Sequence, residues 1–219
     1  MPEHAPDELE LAQLMCSRIC HDLVGPVGAV NTAVELMAED GDMTLDGDAA
    51  AVLERSVRDA GVRLTFYRRA FGLGGGEAST IGINEIRELV EAMMPADKVV
   101  FAIDVHTDTS EALSELPGYV AKLALILSLI GLEALPRGGD LGLHIAGLED
   151  GIGLAVRAVG PGAAVRDPVR GVIERDPSTE ITARNVHAHL AMLLAERLSA
   201  TLELSSETDA IALATLIEK

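Results

Sequence analysis

Ser17-Arg18-Ile19-Cys20-His21-Asp22-Leu23-Val24-Gly25-Pro26-Val27 is the stretch that decides how this chain folds. From Asp7 to about Ala38 only Gly25-Pro26 interrupts a helical period, so a long amphipathic helix is predicted. Cys16, Ile19, Leu23, Pro26, Val30, Ala33 and Met37 form a heptad seam on it, and Val24, Val27 and Val34 widen the apolar stripe as a four-helix bundle requires. On this frame His21 falls opposite the seam, facing solvent. Pro26 removes an N–H one turn beyond His21 and crowds a carbonyl, which distorts the ladder there.

Outward from this helix, the segment from Glu39 to Asp48 is rich in stop and cap residues and predicts a turn. A second helix is expected from about Ala49 to Phe71, with Val52, Leu53, Ser56, Ala60, Arg63, Leu64 and Tyr67 at helical spacing. Gly72-Leu73-Gly74-Gly75-Gly76 then reads as a linker. A helical hairpin alone buries one face of each helix, so dimerisation into a four-helix bundle is expected. Aligned at the turn, the hairpin sets His21 opposite the stretch holding Arg63, Arg68 and Arg69. Beyond the linker the pattern is mixed. Helices are expected at Ile83 to Met94, Leu116 to Leu135 and Ala183 to Leu198. Strands are expected at Val99 to Val105, Leu141 to Leu148, Ile152 to Val159, Thr201 to Ser205 and Ile211 to Ile217, and Gly160 to Thr182 reads as irregular. The expected fold class is α+β, a helical hairpin (residues 1–73) followed by an α/β sandwich (residues 78–219) with helices on one face of a mixed sheet.

Composition sets limits. Of 219 residues 48% are hydrophobic but only 2% aromatic, so the core must be built from aliphatic side chains and Met. A net charge of −18 argues against nucleic acid or an anionic membrane surface as partner. Cys16 and Cys20, one turn apart, give no disulfide framework and read as small buried residues in a reducing compartment. The first residues, MPEHAPDELELAQ, are acidic and lack an apolar signal core, and the apolar run Leu123 to Leu135 is too short to span a bilayer. A cytoplasmic protein is expected.

A neutral imidazole is a good nucleophile toward phosphorus. Asp22 can accept a hydrogen bond from its other nitrogen and fix its tautomer. Arg18, just under one turn before His21, is a candidate contact for phosphate oxygens. His4, His106, His144, His187 and His189 read as ordinary surface histidines, and His187 and His189 face different sides of a helix, a poor metal pair. No metal site is expected.

His21-Asp22-Leu23-Val24-Gly25-Pro26 resembles the H-box of histidine kinases, in which a phosphoacceptor histidine is followed by an acid, a Leu or Ile, two variable residues and a proline. Val24 and Gly25 depart from it, because kinases usually carry a basic and a small polar residue there. Cys16 to Val30 (CSRICHDLVGPVGAV) is more closely similar to the alphaproteobacterial histidine phosphotransferases of the ChpT family, and the likeness covers nearly the whole chain. It implies a second domain like the kinase ATP-binding domain with its chemistry erased. Aligned on Glu133-Ala134-Leu135-Pro136-Arg137-Gly138-Gly139, the two asparagines of the kinase helix, one of which holds Mg²⁺, fall on Ile126 and Ile130. The adenine-reading Asp falls on Ala158, ahead of Gly160-Pro161-Gly162, and the phosphate loop is missing around Asn185 to His189.

The resemblance implies a homodimeric phosphorelay protein. It would take a phosphoryl group from the receiver of a CckA-type hybrid histidine kinase onto His21 and pass it to CtrA-type and CpdR-type response regulators. No cofactor is expected on the chain itself, since the Mg²⁺ belongs to the receivers. Receiver contacts are expected at Ser17, Arg18, Asp22, Val24, Gly25 and Ala29, with Arg68 from the second helix. The alternatives are an ATP-dependent kinase or GHKL-type ATPase, and a non-catalytic dimeric scaffold that docks receivers.

Overall fold

The computed structural model describes residues 6–39, 47–73, 79–95, 98–108 and 113–218. Helix α1 (Glu8–Glu39) runs without interruption through Pro26, and α2 (Gly47–Ala70) packs against it. Most of the expected turn between them, and residues 74–76 of the expected linker, lie outside the described residues. On α1 the predicted seam is partly or fully buried at Ile19, Leu23, Pro26, Val30, Ala33 and Met37, whereas Val24, Val27 and Val34 stay exposed. Cys16 and Cys20 are exposed too, contrary to the sequence reading. None of the described residues buries them.

After the hairpin come β1 (Thr80–Gly82), α3 (Ile83–Met93), β2 (Val99–Thr107), β3 (Glu115–Pro117), α4 (Gly118–Glu133), β4 (Gly139–Leu148), β5 (Gly151–Val159), α5 (Asp167–Ile173), α6 (Val186–Arg197), β6 (Leu202–Glu207) and β7 (Ala210–Glu218). The main sheet has the order β2-β4-β5-β7-β6, with β2 and β4 parallel and the remaining pairs antiparallel. The parallel pair requires a crossover, and α4 supplies it. Burial alternates along β4, with Leu141, Leu143 and Ile145 turned inward and Asp140 and His144 outward, so one face of the sheet is covered by helices. This is the expected α/β sandwich.

Two features differ from the sequence reading. β1 and β3 form a separate antiparallel ribbon, Ile81 opposite Leu116. Within the stretch read as irregular, Pro168 stands in the first turn of α5, where a missing N–H costs no intrahelical bond.

Helix α4 is buried almost all round, which explains its lack of an apolar stripe. It packs against the sheet and α6 and touches α2. One hydrophobic core therefore runs from Phe66, Tyr67 and Ala70 of α2 into the sandwich. The Lys122 ammonium of α4 donates to the Gly72 carbonyl at the end of the hairpin, a second tie between the two regions. Among the described residues no helix is long and apolar enough to cross a membrane.

Candidate functional site

His21 stands on the outer side of α1 with 82% of its side chain exposed, where the heptad frame places it. Its Nδ1 lies 3.1 Å from Asp22 Oδ1. The other Asp22 oxygen, Oδ2, accepts from the Tyr67 hydroxyl at 2.6 Å and from Arg18 Nε at 3.2 Å. Burial alone would raise the Asp22 carboxyl. The hydrogen bonds from Tyr67 and His21 and the charges of Arg18 and Arg63 outweigh it and hold the group below its ordinary value. Asp22 is thus an ionised acceptor, so the hydrogen-bond network assigns the proton of a neutral His21 to Nδ1 and leaves the Nε2 lone pair free. Burial, with the hydrogen bond to Asp22, pushes the Tyr67 phenol up to about 12, so it donates throughout the physiological range.

Arg18 is placed differently from its sequence reading as a phosphate contact. It turns inward, and every nitrogen of its guanidinium is committed to protein groups. NH2 pairs with Glu133 Oε1 at the end of α4, NH1 donates to the Arg184 carbonyl at 3.2 Å and to His187 Nδ1 at 2.8 Å, and Nε holds Asp22. A guanidinium buried to this degree needs such partners. His187, read from the sequence as an ordinary surface residue, is fully buried in α6. Burial pushes its imidazole below the usual value, so it is neutral near pH 7. Because Nδ1 accepts from Arg18, the proton sits on Nε2, which lies 3.5 Å from Glu133 Oε2, at ion-pair range but without hydrogen-bond geometry. Burial would raise Glu133, but His187 and the Arg18 charge together hold its carboxyl well below the usual range, and we assign the larger share to Arg18, which alone carries a full charge.

His21, Asp22 and Arg18 line a recess of about 620 Å³ between the hairpin and the sandwich, together with Arg63, Tyr67, Lys98, Glu133, Arg166 and Arg184. Arg63, Lys98, Arg166 and Arg184 form no ion pair among the described residues. Four such cations around one histidine stand out in a chain of net charge −18. Of the other expected contacts, Ser17, Val24 and Gly25 are exposed on α1, and Ala29 is half-buried. Arg68 is exposed at the end of α2 but does not line the recess, and Arg69 pairs with Glu85 at 2.5 Å. Sequence reading missed Glu133 and His187 as site residues and saw Tyr67 only as part of a stripe.

The positions that the sequence resemblance aligns with the kinase nucleotide site carry hydrocarbon side chains. Ile126, Ile130 and Ala158 are buried in the core. Asn185, in the stretch that the resemblance aligns with the kinase phosphate loop, is also fully buried, its amide donating to the Pro168 and Glu180 carbonyls and its Oδ1 accepting from Thr182 N. Among the described residues no group of three or more His, Cys, Asp or Glu is placed to hold a metal.

Known proteins resemble the chain in sequence and in fold. The family model described as the histidine phosphotransferase C-terminal domain matches residues 83–210. The protein phosphotransferase ChpT of Brucella abortus (strain 2308) is 38% identical over 141 residues, which are 64% of this chain and 63% of that protein. The chain thus matches a little under two thirds of the length of that curated relative. The solved structure of a bacterial phosphotransferase superposes with a TM-score of 0.81 at 28% identity, covering 98% of this chain and 100% of the other. The histidine kinase ThkA, solved in complex with the response regulator TrrA, shares the fold with a TM-score of 0.55 at 14% identity, over 96% of this chain and 63% of that one.

Proposed function

The chain belongs to the histidine phosphotransferase family, and from that premise we propose that it relays phosphoryl groups between receiver aspartates through a phosphohistidine at His21. The observation that carries this reading is an exposed imidazole whose Nδ1 is held by an ionised carboxylate, on a fold whose nucleotide positions are closed with Ile126, Ile130 and Ala158.

The chemistry follows from that geometry. Nε2 attacks the phosphorus of a receiver's phosphoaspartate. The N–P bond forms as the acyl O–P bond breaks, and the electron pair leaves on the aspartate carboxylate. The positive charge that develops on the ring is met by Asp22 through Nδ1–H. The reverse step hands the group to the aspartate of a second receiver. Divalent metal for both steps comes with the receivers. Arg63, Lys98, Arg166 and Arg184 attract the dianionic phosphoryl group and the acidic site that carries it, so the sandwich contributes to docking beside Ser17, Val24, Gly25 and Ala29 of α1. Partners of the CckA, CtrA and CpdR types fit this reading, and so does a cytoplasmic setting for two free cysteines.

The protein acts as a homodimer. Cys16, Cys20, Val27 and Val34 form an exposed apolar strip on α1 beside the seam already covered by α2, and Val57 and Leu64 are exposed on one face of α2. A second hairpin closes these strips into a four-helix bundle.

The test is incubation with a ³²P-phosphorylated receiver. Label should pass to the wild type, be acid-labile and base-stable, and be absent in His21→Ala. A wild type that binds the receiver and takes no label would leave only a docking scaffold.

A further inference from the structure

We propose that the sandwich domain is a positioning element for His21, acting through a relay in which Glu133 and His187 hold Arg18, and Arg18 together with Tyr67 holds Asp22. This rests on the reading of His21 as the phosphoacceptor and adds what prepares it.

The contacts form an unbroken chain of charge-assisted hydrogen bonds. Glu133 at the end of α4 takes Arg18 NH2. His187 and the Arg184 carbonyl, at the start of α6, take NH1. The remaining guanidinium donor, Nε, points along α1 to Asp22 Oδ2, one turn on. Tyr67 of α2 brings its hydroxyl to the same oxygen. Arg18 of α1 and Tyr67 of α2 therefore clamp one carboxylate oxygen directly, and α4 and α6 act on it through Arg18. Among the described residues the other oxygen has one hydrogen-bond contact, the Nδ1 of His21.

An arrangement serving adhesion alone would need none of this. A buried ion-pair cluster is commonly no better for stability than apolar side chains of the same shape, and the core on either side is aliphatic. What apolar packing cannot do is fix the rotation of a carboxylate. A carboxylate with one oxygen clamped by two donors presents the other in one direction, which sets the His21 tautomer and aims Nε2 outward. The planar fork of Arg18 suits this task because it reaches three elements at once. Tyr67 is itself fixed by stacking on Phe71, ring centroids 5.1 Å apart. Arg18, Tyr67, Glu133 and His187 are positioning residues, since none need touch the phosphoryl group.

The proposal is tested on the full chain labelled with ¹⁵N-histidine, reading the His21 tautomer from long-range ¹H–¹⁵N correlations, with the signal assigned by His21→Ala. Wild type should show the proton on Nδ1. Tyr67→Phe keeps the stacked ring, and Glu133→Gln keeps the shape. Each should shift the ratio toward Nε2–H by roughly tenfold, the loss expected of one charge-assisted hydrogen bond, and phosphoryl uptake from a labelled receiver should fall by a similar factor. Arg18→Lys, which keeps the charge but loses the fork, should act like Glu133→Gln and serves if that variant does not fold. Folded variants with an unchanged His21 tautomer would overturn the proposal. A shift in Tyr67→Phe alone would overturn the part given to the sandwich. A tautomer shift in a protein whose wild type takes no phosphoryl group would support the positioning and remove the relay reading.

Discussion

Arg18 and Asp22 sit one turn apart, and both depend on residues far along the chain. Glu133→Ala leaves the Arg18 guanidinium buried without its carboxylate. A broken buried pair costs about 3–5 kcal/mol, and the partial exposure of Glu133 places this one near the lower end, about 3 kcal/mol. The thermal midpoint should then drop by about 6–12 °C, measurable by calorimetry. Acidification should act in the same direction. The Asp22 and Glu133 carboxyls are held below their ordinary values, so the unfolded chain takes up protons first and stability is lost as pH falls through the folded values. His187 is lowered from 6.5, so between that pH and its folded value only the unfolded chain gains the proton, and stability again falls. A fluorimetric melt series should show a midpoint that declines from pH 7 downward, with a shallower slope below pH 5 in Glu133→Gln. At this scale His21 and Asp22 were legible because they are neighbours in sequence and the heptad frame fixes their side of the helix. Arg18 reads from the sequence as a phosphate contact because, apart from Asp22 at i+4, its partners lie 115 to 169 residues away, where local spacing carries no trace of them. His187 was missed for the same reason.

The elements themselves were largely legible, since each long helix or strand repeats its period several times. The failures were short. β1 and β3, three residues each, hold too few positions to show alternation, and Pro168 in α5 reads as a breaker until its place in the first turn is known. Helix α4 shows how packing overrides propensity. A Cβ added at Gly131 would come within 2.7 Å of both Leu141 Cδ1 and Val156 Cγ1, so the glycine lets the helix lie close on β4 and β5. Replacing it with Ala gains about 1 kcal/mol of helix propensity. Overpacking a core costs about 1–3 kcal/mol. With two methyl groups to displace in a closed interior the second effect wins, so Gly131→Ala should lower stability by about 1–2 kcal/mol in urea titration. An increase in stability would show that the helix can lift off the sheet.

At the scale of the whole molecule, two regions read as separate domains share one core through Phe66, Tyr67 and Ala70. The sequence could not reveal this, because the contacts join segments on either side of a glycine-rich stretch. The exposed apolar strips on α1 and α2 should hold two chains together, so the wild type should sediment as a dimer and Val27→Glu combined with Leu64→Glu as a monomer. A dimeric double variant would place the interface elsewhere. With Ile126, Ile130 and Ala158 buried where the resemblance aligns the kinase nucleotide site, the chain is expected to take the phosphoryl group from another protein and not from ATP. The direct measurement offers wild-type protein two donors side by side, magnesium with [γ-³²P]ATP alone, and a ³²P-phosphorylated receiver domain. Acid-labile label from the receiver, none from ATP and none on His21→Ala is the predicted result, whereas label on His21 from ATP without any receiver would contradict the account.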